Sequence, residues 1–64
     1  MLSRKPECKL IGEDGNIFNL LAITRRTLLK NDMYSESIEV VRRVTSSKSY
    51  DEALRIIGEY VEII

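Results

Sequence analysis

Histidine and tryptophan are absent, cysteine and proline occur once each, and the 64-residue chain holds three tyrosines and one phenylalanine as its aromatic set. Each shortage removes a class of protein. Without histidine the commonest general base is missing, and so is a zinc site of the usual Cys/His kind. Cys8 has no second cysteine to pair with, so no intrachain disulfide braces the fold. A lone thiol points to a reducing compartment. Lysine plus arginine and aspartate plus glutamate number 10 each, so the net charge is zero. Proteins that act mainly by neutralising phosphates carry a positive excess. No apolar run approaches the roughly 18–20 residues that span a bilayer, and Met1–Glu7 lacks the apolar stretch of a signal peptide. The expectation is a soluble, cytoplasmic chain with no membrane contact and no cofactor.

A chain of this length forms one domain. Such a domain buries only about 60% of its unfolded surface, and small scaffolds lacking disulfides or metals draw stability from association. Charge is distributed unevenly. Residues 17–31 hold Arg25, Arg26 and Lys30 with no acid, whereas residues 47–64 hold Asp51, Glu52, Glu59 and Glu62 against Lys48 and Arg55.

The pattern predicts a mainly α fold. Residues 1–7 are polar and read as a flexible tail, and residues 8–64 form the domain. Cys8-Lys9-Leu10-Ile11 has strand character and ends at Gly12. Asp14-Gly15 is a strong turn dipeptide. It could close a hairpin or deliver the chain into a helix. Ile17, Leu20, Leu21, Thr24 and Leu28 recur at helical spacing, which favours the helix. Asn16 is its N-cap, and the spacing predicts a helix over about 17–30. Asn31-Asp32 breaks the pattern. A second helix is expected over about 33–45, with Tyr34, Ile38, Val41 and Val44 or Thr45 as its core stripe. Ser49-Tyr50-Asp51-Glu52 fits a capping box and opens a third helix over about 50–60. Its stripe is Tyr50, Ala53 or Leu54, Ile57, Val61 and Ile64. Gly58 inside that helix costs about 1 kcal/mol relative to alanine, which a close helix–helix approach would explain. A lone N-terminal strand needs a ladder partner. The β-branched C-terminus and a second subunit are the two candidates.

Chemistry finds little footing. Glu13-Asp14-Gly15-Asn16 lacks the length and ligand spacing of a calcium loop, and its acids would repel a phosphate. Cys8 has no histidine to activate it and reads as a small buried apolar residue. The carboxylate pairs Asp51-Glu52 and Glu59/Glu62 have no evident pocket, so no enzyme is expected. Two basic pairs, Arg25-Arg26 and Arg42-Arg43, are the candidate nucleic-acid contacts. Cations near helix C-termini also serve the helix itself. A third helix beginning with Asp51 and Glu52 would push phosphates away, against a helix-turn-helix. A ribbon-helix-helix dimer needs a short strand and two helices, and the polar turn Gly12–Asn16 and zero net charge count against it.

Apolar residues exceed what one stripe per helix requires. The first helix has a second stripe of Phe18, Ala22 and Leu29 with Ile23 nearby, and the third has Ile56, Tyr60 and Ile63. Helices apolar on two sides sit between neighbours. Phe18, Ile23, Leu29, Tyr50, Ile56, Tyr60 and Ile63 are therefore the candidate interface, with the aromatic residues as anchors and a homodimer or a captured protein as partner.

The Leu10–Leu21 stretch LIGEDGNIFNLL, with Ser49–Leu54 (SYDEAL) and Ile56–Val61 (IIGEYV), resembles a group of short uncharacterised proteins encoded in bacterial phages, plasmids and integrated mobile elements. The resemblance spans about residues 8–64. Members of that group carry Arg-Lys-Ala-Gly or similar after the first helix, where this chain has Lys30-Asn31-Asp32. The resemblance implies a non-catalytic accessory protein acting on host or phage machinery by protein binding, with blockade of a host defence protein as its sharpest form. A small DNA-binding regulator is the alternative. No site residue is carried over.

Overall fold

A computed structural model describes residues 5–64. The chain runs β1 (Glu7–Cys8), α1 (Ile17–Lys30), α2 (Tyr34–Thr45), α3 (Tyr50–Tyr60) and β2 (Glu62–Ile63). It is mainly α, with all three helices at the expected places. Asn16 caps α1 as its type allows, its Oδ1 accepting from the Phe18 amide at 2.8 Å. The Ser49 hydroxyl likewise accepts from the Glu52 amide at 3.1 Å. The return half of the expected capping box differs. Glu52 Oε1 accepts from the Lys48 amide at 2.9 Å, one residue before the cap.

Asn31 to Met33 form a Schellman turn. The Asp32 amide donates to the Leu29 carbonyl and the Met33 amide to the Leu28 carbonyl. This geometry needs a left-handed residue after the cap, and Asp32 takes it with φ of 60°. The turn also drives Met33 onto the core. That contact resets the phase of α2. Its buried residues are Ser37, Val40 and Val44, in step with Met33. Tyr34 and Ile38, expected in the core, are instead exposed, and Val41 is half-buried. Ser37 tolerates burial because its hydroxyl donates to the Tyr34 carbonyl at 2.7 Å. Thr24 on α1 does the same with the Leu20 carbonyl at 2.8 Å. Every fully buried side-chain polar atom among the described residues has such a partner.

The strand is shorter and earlier than the expected 8–11. It pairs with the C-terminus of the same chain in parallel, with Glu7 opposite Glu62 and Cys8 opposite Ile63. The Glu62 amide donates to the Pro6 carbonyl, the Ile64 amide to the Cys8 carbonyl, and the Leu10 amide to the Ile64 carbonyl. Pro6 and Glu7 thus belong to the fold rather than to a tail, and Lys5 reaches the Gly58 carbonyl at 2.8 Å. The rest of the expected tail, residues 1–4, lies outside the described residues. Leu28, Ile57, Val40, Val61, Thr24 and Cys8 are fully buried at the centre.

Helix α3 touches α1, α2 and β2. Its doubled apolar stripe follows from those several neighbours within one chain. Ile56 and Tyr60, expected at an interface, accordingly lie in the core. Gly58 marks no helix–helix approach either. A methyl group there would meet only the Ile63 side chain, at 4.0 Å.

Candidate functional surface

The chain from Cys8 to Ile11 alternates in burial. Cys8 and Leu10 point inward, so Ile11 points outward and is 68% exposed. A turn follows, with the Glu13 amide donating to the Leu10 carbonyl at 3.1 Å. Gly12 sits at its third position with φ of 94°, a conformation glycine adopts freely. Asp14 then builds the approach to α1. Its carboxylate accepts from the Asn16 amide, and its carbonyl accepts from Asn19 Nδ2. These bonds engage Asp14 in the turn, in line with a cap rather than a cation loop. Among the described residues no cluster of three histidine, cysteine or acidic side chains could hold a metal.

Tyr50, the first residue of α3, folds over this turn and donates its hydroxyl to the Gly15 carbonyl. Tyr50 is 47% exposed and lines two shallow grooves. The first, about 370 Å³, is bounded by Ile17, Phe18, Val44, Thr45, Lys48 and Tyr50, among others. The second, about 240 Å³, is bounded by Leu10, Ile11, Glu13, Tyr50, Leu54 and Ile63 with neighbouring backbone. Phe18 is 68% exposed at the rim of the first. Of the residues that line these apolar grooves, Lys48 is charged in the first and Glu13 in the second, with the Lys9 ammonium bonded to the Ile11 carbonyl beside the latter at 2.9 Å.

The structure thus brings together Phe18, Tyr50 and Ile63 of the expected interface. Ile23 and Leu29 are half-buried, with Ile23 packed against the core. Ile11, Lys48, Glu13 and Leu54 were not among the expected interface residues. The alternation from Cys8 to Ile11 could have marked Ile11. Nothing local could have marked Lys48 and Glu13, which reach this surface only through the tertiary fold. A second exposed apolar pair, Tyr34 and Ile38, lies on α2.

The arginines are treated differently from one another. Arg25, Arg26 and Arg42 are exposed. Arg43 holds Glu59 through two bonds, Nη1 to Oε1 at 2.6 Å and Nη2 to Oε2 at 3.3 Å. It also donates to the Tyr60 hydroxyl at 3.0 Å. The hydrogen bonds to Glu59 and Tyr60 raise the Arg43 pKa, and the bond from Arg43 holds Glu59 below the ordinary carboxylate range. Arg43 is therefore a brace between α2 and α3. β1 pairs with its own chain, whereas a ribbon-helix-helix dimer pairs it with a second subunit.

Cys8 is buried, and the Thr27 hydroxyl donates to its sulfur at 3.4 Å. No helix among the described residues is long and apolar enough to cross a membrane. No protein-family model, curated protein or solved structure matches the chain.

Proposed function

We propose that the chain is a non-catalytic binding module whose working part is the Tyr50-centred surface, acting by covering a protein surface. The observation that carries this reading is the pair of apolar grooves sharing one tyrosine wall. Exposed aromatic side chains beside apolar depressions are the usual anchors of protein interfaces. The two sequence blocks that resemble mobile-element proteins, Gly12–Asn16 and Ser49–Leu54, meet at the Tyr50–Gly15 hydrogen bond. That resemblance suggests the setting, an accessory protein of a phage or other mobile element that occludes host or phage machinery, a defence protein being the sharpest case.

Affinity capture from the natural host, read by mass spectrometry, tests the reading. Wild-type chain is expected to retain a protein that Phe18→Asp loses, with far-UV circular dichroism showing both folded. Retention by Phe18→Asp and loss by Arg25→Glu/Arg26→Glu would overturn it. The second reading, a DNA-binding regulator, is favoured by exposed Arg25 and Arg26 with Lys30 on an acid-free α1. Duplex binding whose affinity falls steeply as salt rises would support that alternative.

A further inference from the structure

We propose that a second copy of this chain occupies the Tyr50-centred surface, on a two-fold axis beside Tyr50 that sets the first groove of each copy against the second groove of the other. This rests on the reading of that surface as a contact site and adds its resting occupant and register; a captured protein then displaces the second copy.

A two-fold interface is self-complementary, so a feature on one side of the axis meets the partner's feature from the other side. Tyr50 is the common wall of the two grooves, so an axis beside it exchanges them. The exchanged features fit each other. Phe18 projects from the first groove, and the second is lined by Leu10, Ile11, Leu54 and Ile63. Its volume of about 240 Å³ exceeds the roughly 150 Å³ in which an apolar cavity takes up benzene. Lys48 of the first groove comes to face the partner's Glu13 in the second. Symmetry makes each contact twice. An axis through the first groove instead would bring the Lys48 side chains of the two copies near each other and leave both Glu13 side chains without a lysine opposite. A standard interface covers about 800 Å² on each partner, under a fifth of this chain's 4554 Å². The exposed Tyr34–Ile38 pair on α2 lines neither groove.

Sedimentation equilibrium on the full chain tests this, with Lys48→Glu, Glu13→Lys, their double variant and Phe18→Asp. All three positions are exposed. Wild type is expected to dimerise in the micromolar range. Each single charge reversal should raise the dimer Kd by about tenfold, and the double variant should return it close to wild type. Mixing the two single variants should yield a heterodimer tighter than either homodimer, because both Lys–Glu contacts are then restored. A monomeric wild type at high concentration overturns the inference, as does a dimer indifferent to Phe18→Asp and to the charge swap. If wild type is monomeric yet captures a host protein through Phe18, the second-copy inference fails and the contact-surface reading stands. If neither dimerisation nor capture depends on Phe18, both fail.

Discussion

The hydroxyl of Tyr50 donates to the carbonyl of Gly15, joining the first turn of α3 to the turn before α1 across 35 residues of sequence. The bond fixes the ring that separates the two grooves. A methyl group at Gly15 would sit 3.4 Å from the same hydroxyl, so the turn approaches the tyrosine closely. Tyr50→Phe removes the bond and keeps the ring. It is expected to cost about 0.5–1.5 kcal/mol, towards the low end because the site is exposed. Urea denaturation of the two chains measures the difference.

Gly58→Ala is expected to stabilise the protein by about 0.5–1 kcal/mol. Alanine restores helix propensity at an interior position of α3, and its methyl group meets the Ile63 side chain at an ordinary 4.0 Å. A lower melting temperature would show that the glycine serves a close contact after all.

Asp32→Gly should also stabilise. Asp32 holds φ of 60° in the Schellman turn, a conformation that costs an L-residue roughly 1–2 kcal/mol and a glycine little. The loss of its bond from the Tyr34 hydroxyl, at 3.0 Å on the surface, offsets part of this gain. A net gain of about 0.5–1 kcal/mol by chemical denaturation is expected.

Ile57→Ala is expected to remove a large share of the stability. Ile57 is fully buried, and such truncations cost about 2–5 kcal/mol. Per-residue averages give a chain of this length only roughly 3–10 kcal/mol in all. A large fall in the midpoint of the thermal transition, read by circular dichroism, checks this.

The Arg43–Glu59 brace predicts an acid-sensitive component of stability. Arg43 lowers the Glu59 pKa in the folded state from its ordinary value of 4.5. The folded chain therefore binds that proton less readily than the unfolded one, and stability rises with pH across this window. The contribution is present above the ordinary carboxylate range and is lost as pH falls through the lowered folded value. Arg43 stays charged throughout and adds no transition. The stability gap between wild type and Glu59→Gln should be widest near neutrality and shrink below about pH 4.5. A gap that does not change with pH would contradict the role given to this pair.

Much of the architecture was legible in the residues because local chemistry decides it. The i, i+3, i+4 spacing of Ile17, Leu20 and Leu21 and the caps Asn16 and Ser49 are local signals, and they place α1 and α3 at the observed bounds. The phase of α2 was not legible. Tyr34, Ile38 and Val41 make the more apolar stripe, yet the Schellman turn packs Met33 against the core and the small Ser37 follows it inward. A serine reads as surface until its hydroxyl is seen to bond its own helix. The strand partner had two candidates because the unpaired backbone of residues 8–11 does not reveal which chain will satisfy it. The doubled stripe of α3 looked like an interface because periodicity cannot tell a neighbouring helix of the same chain from another molecule. The proposed contact surface was half legible: Phe18 and Ile63 stood out as surplus apolar residues and Tyr50 as an aromatic anchor, though Tyr50 was also expected in the core stripe of α3, while Lys48 and Glu13 came to it by folding.

The most direct test of a second copy seated on the Tyr50-centred surface is a concentration series of amide chemical shifts on the full chain, from micromolar to millimolar. The predicted changes cluster at Ile11, Glu13, Phe18, Lys48 and Tyr50. An unchanged spectrum, or changes confined to Tyr34 and Ile38 on α2, would contradict it.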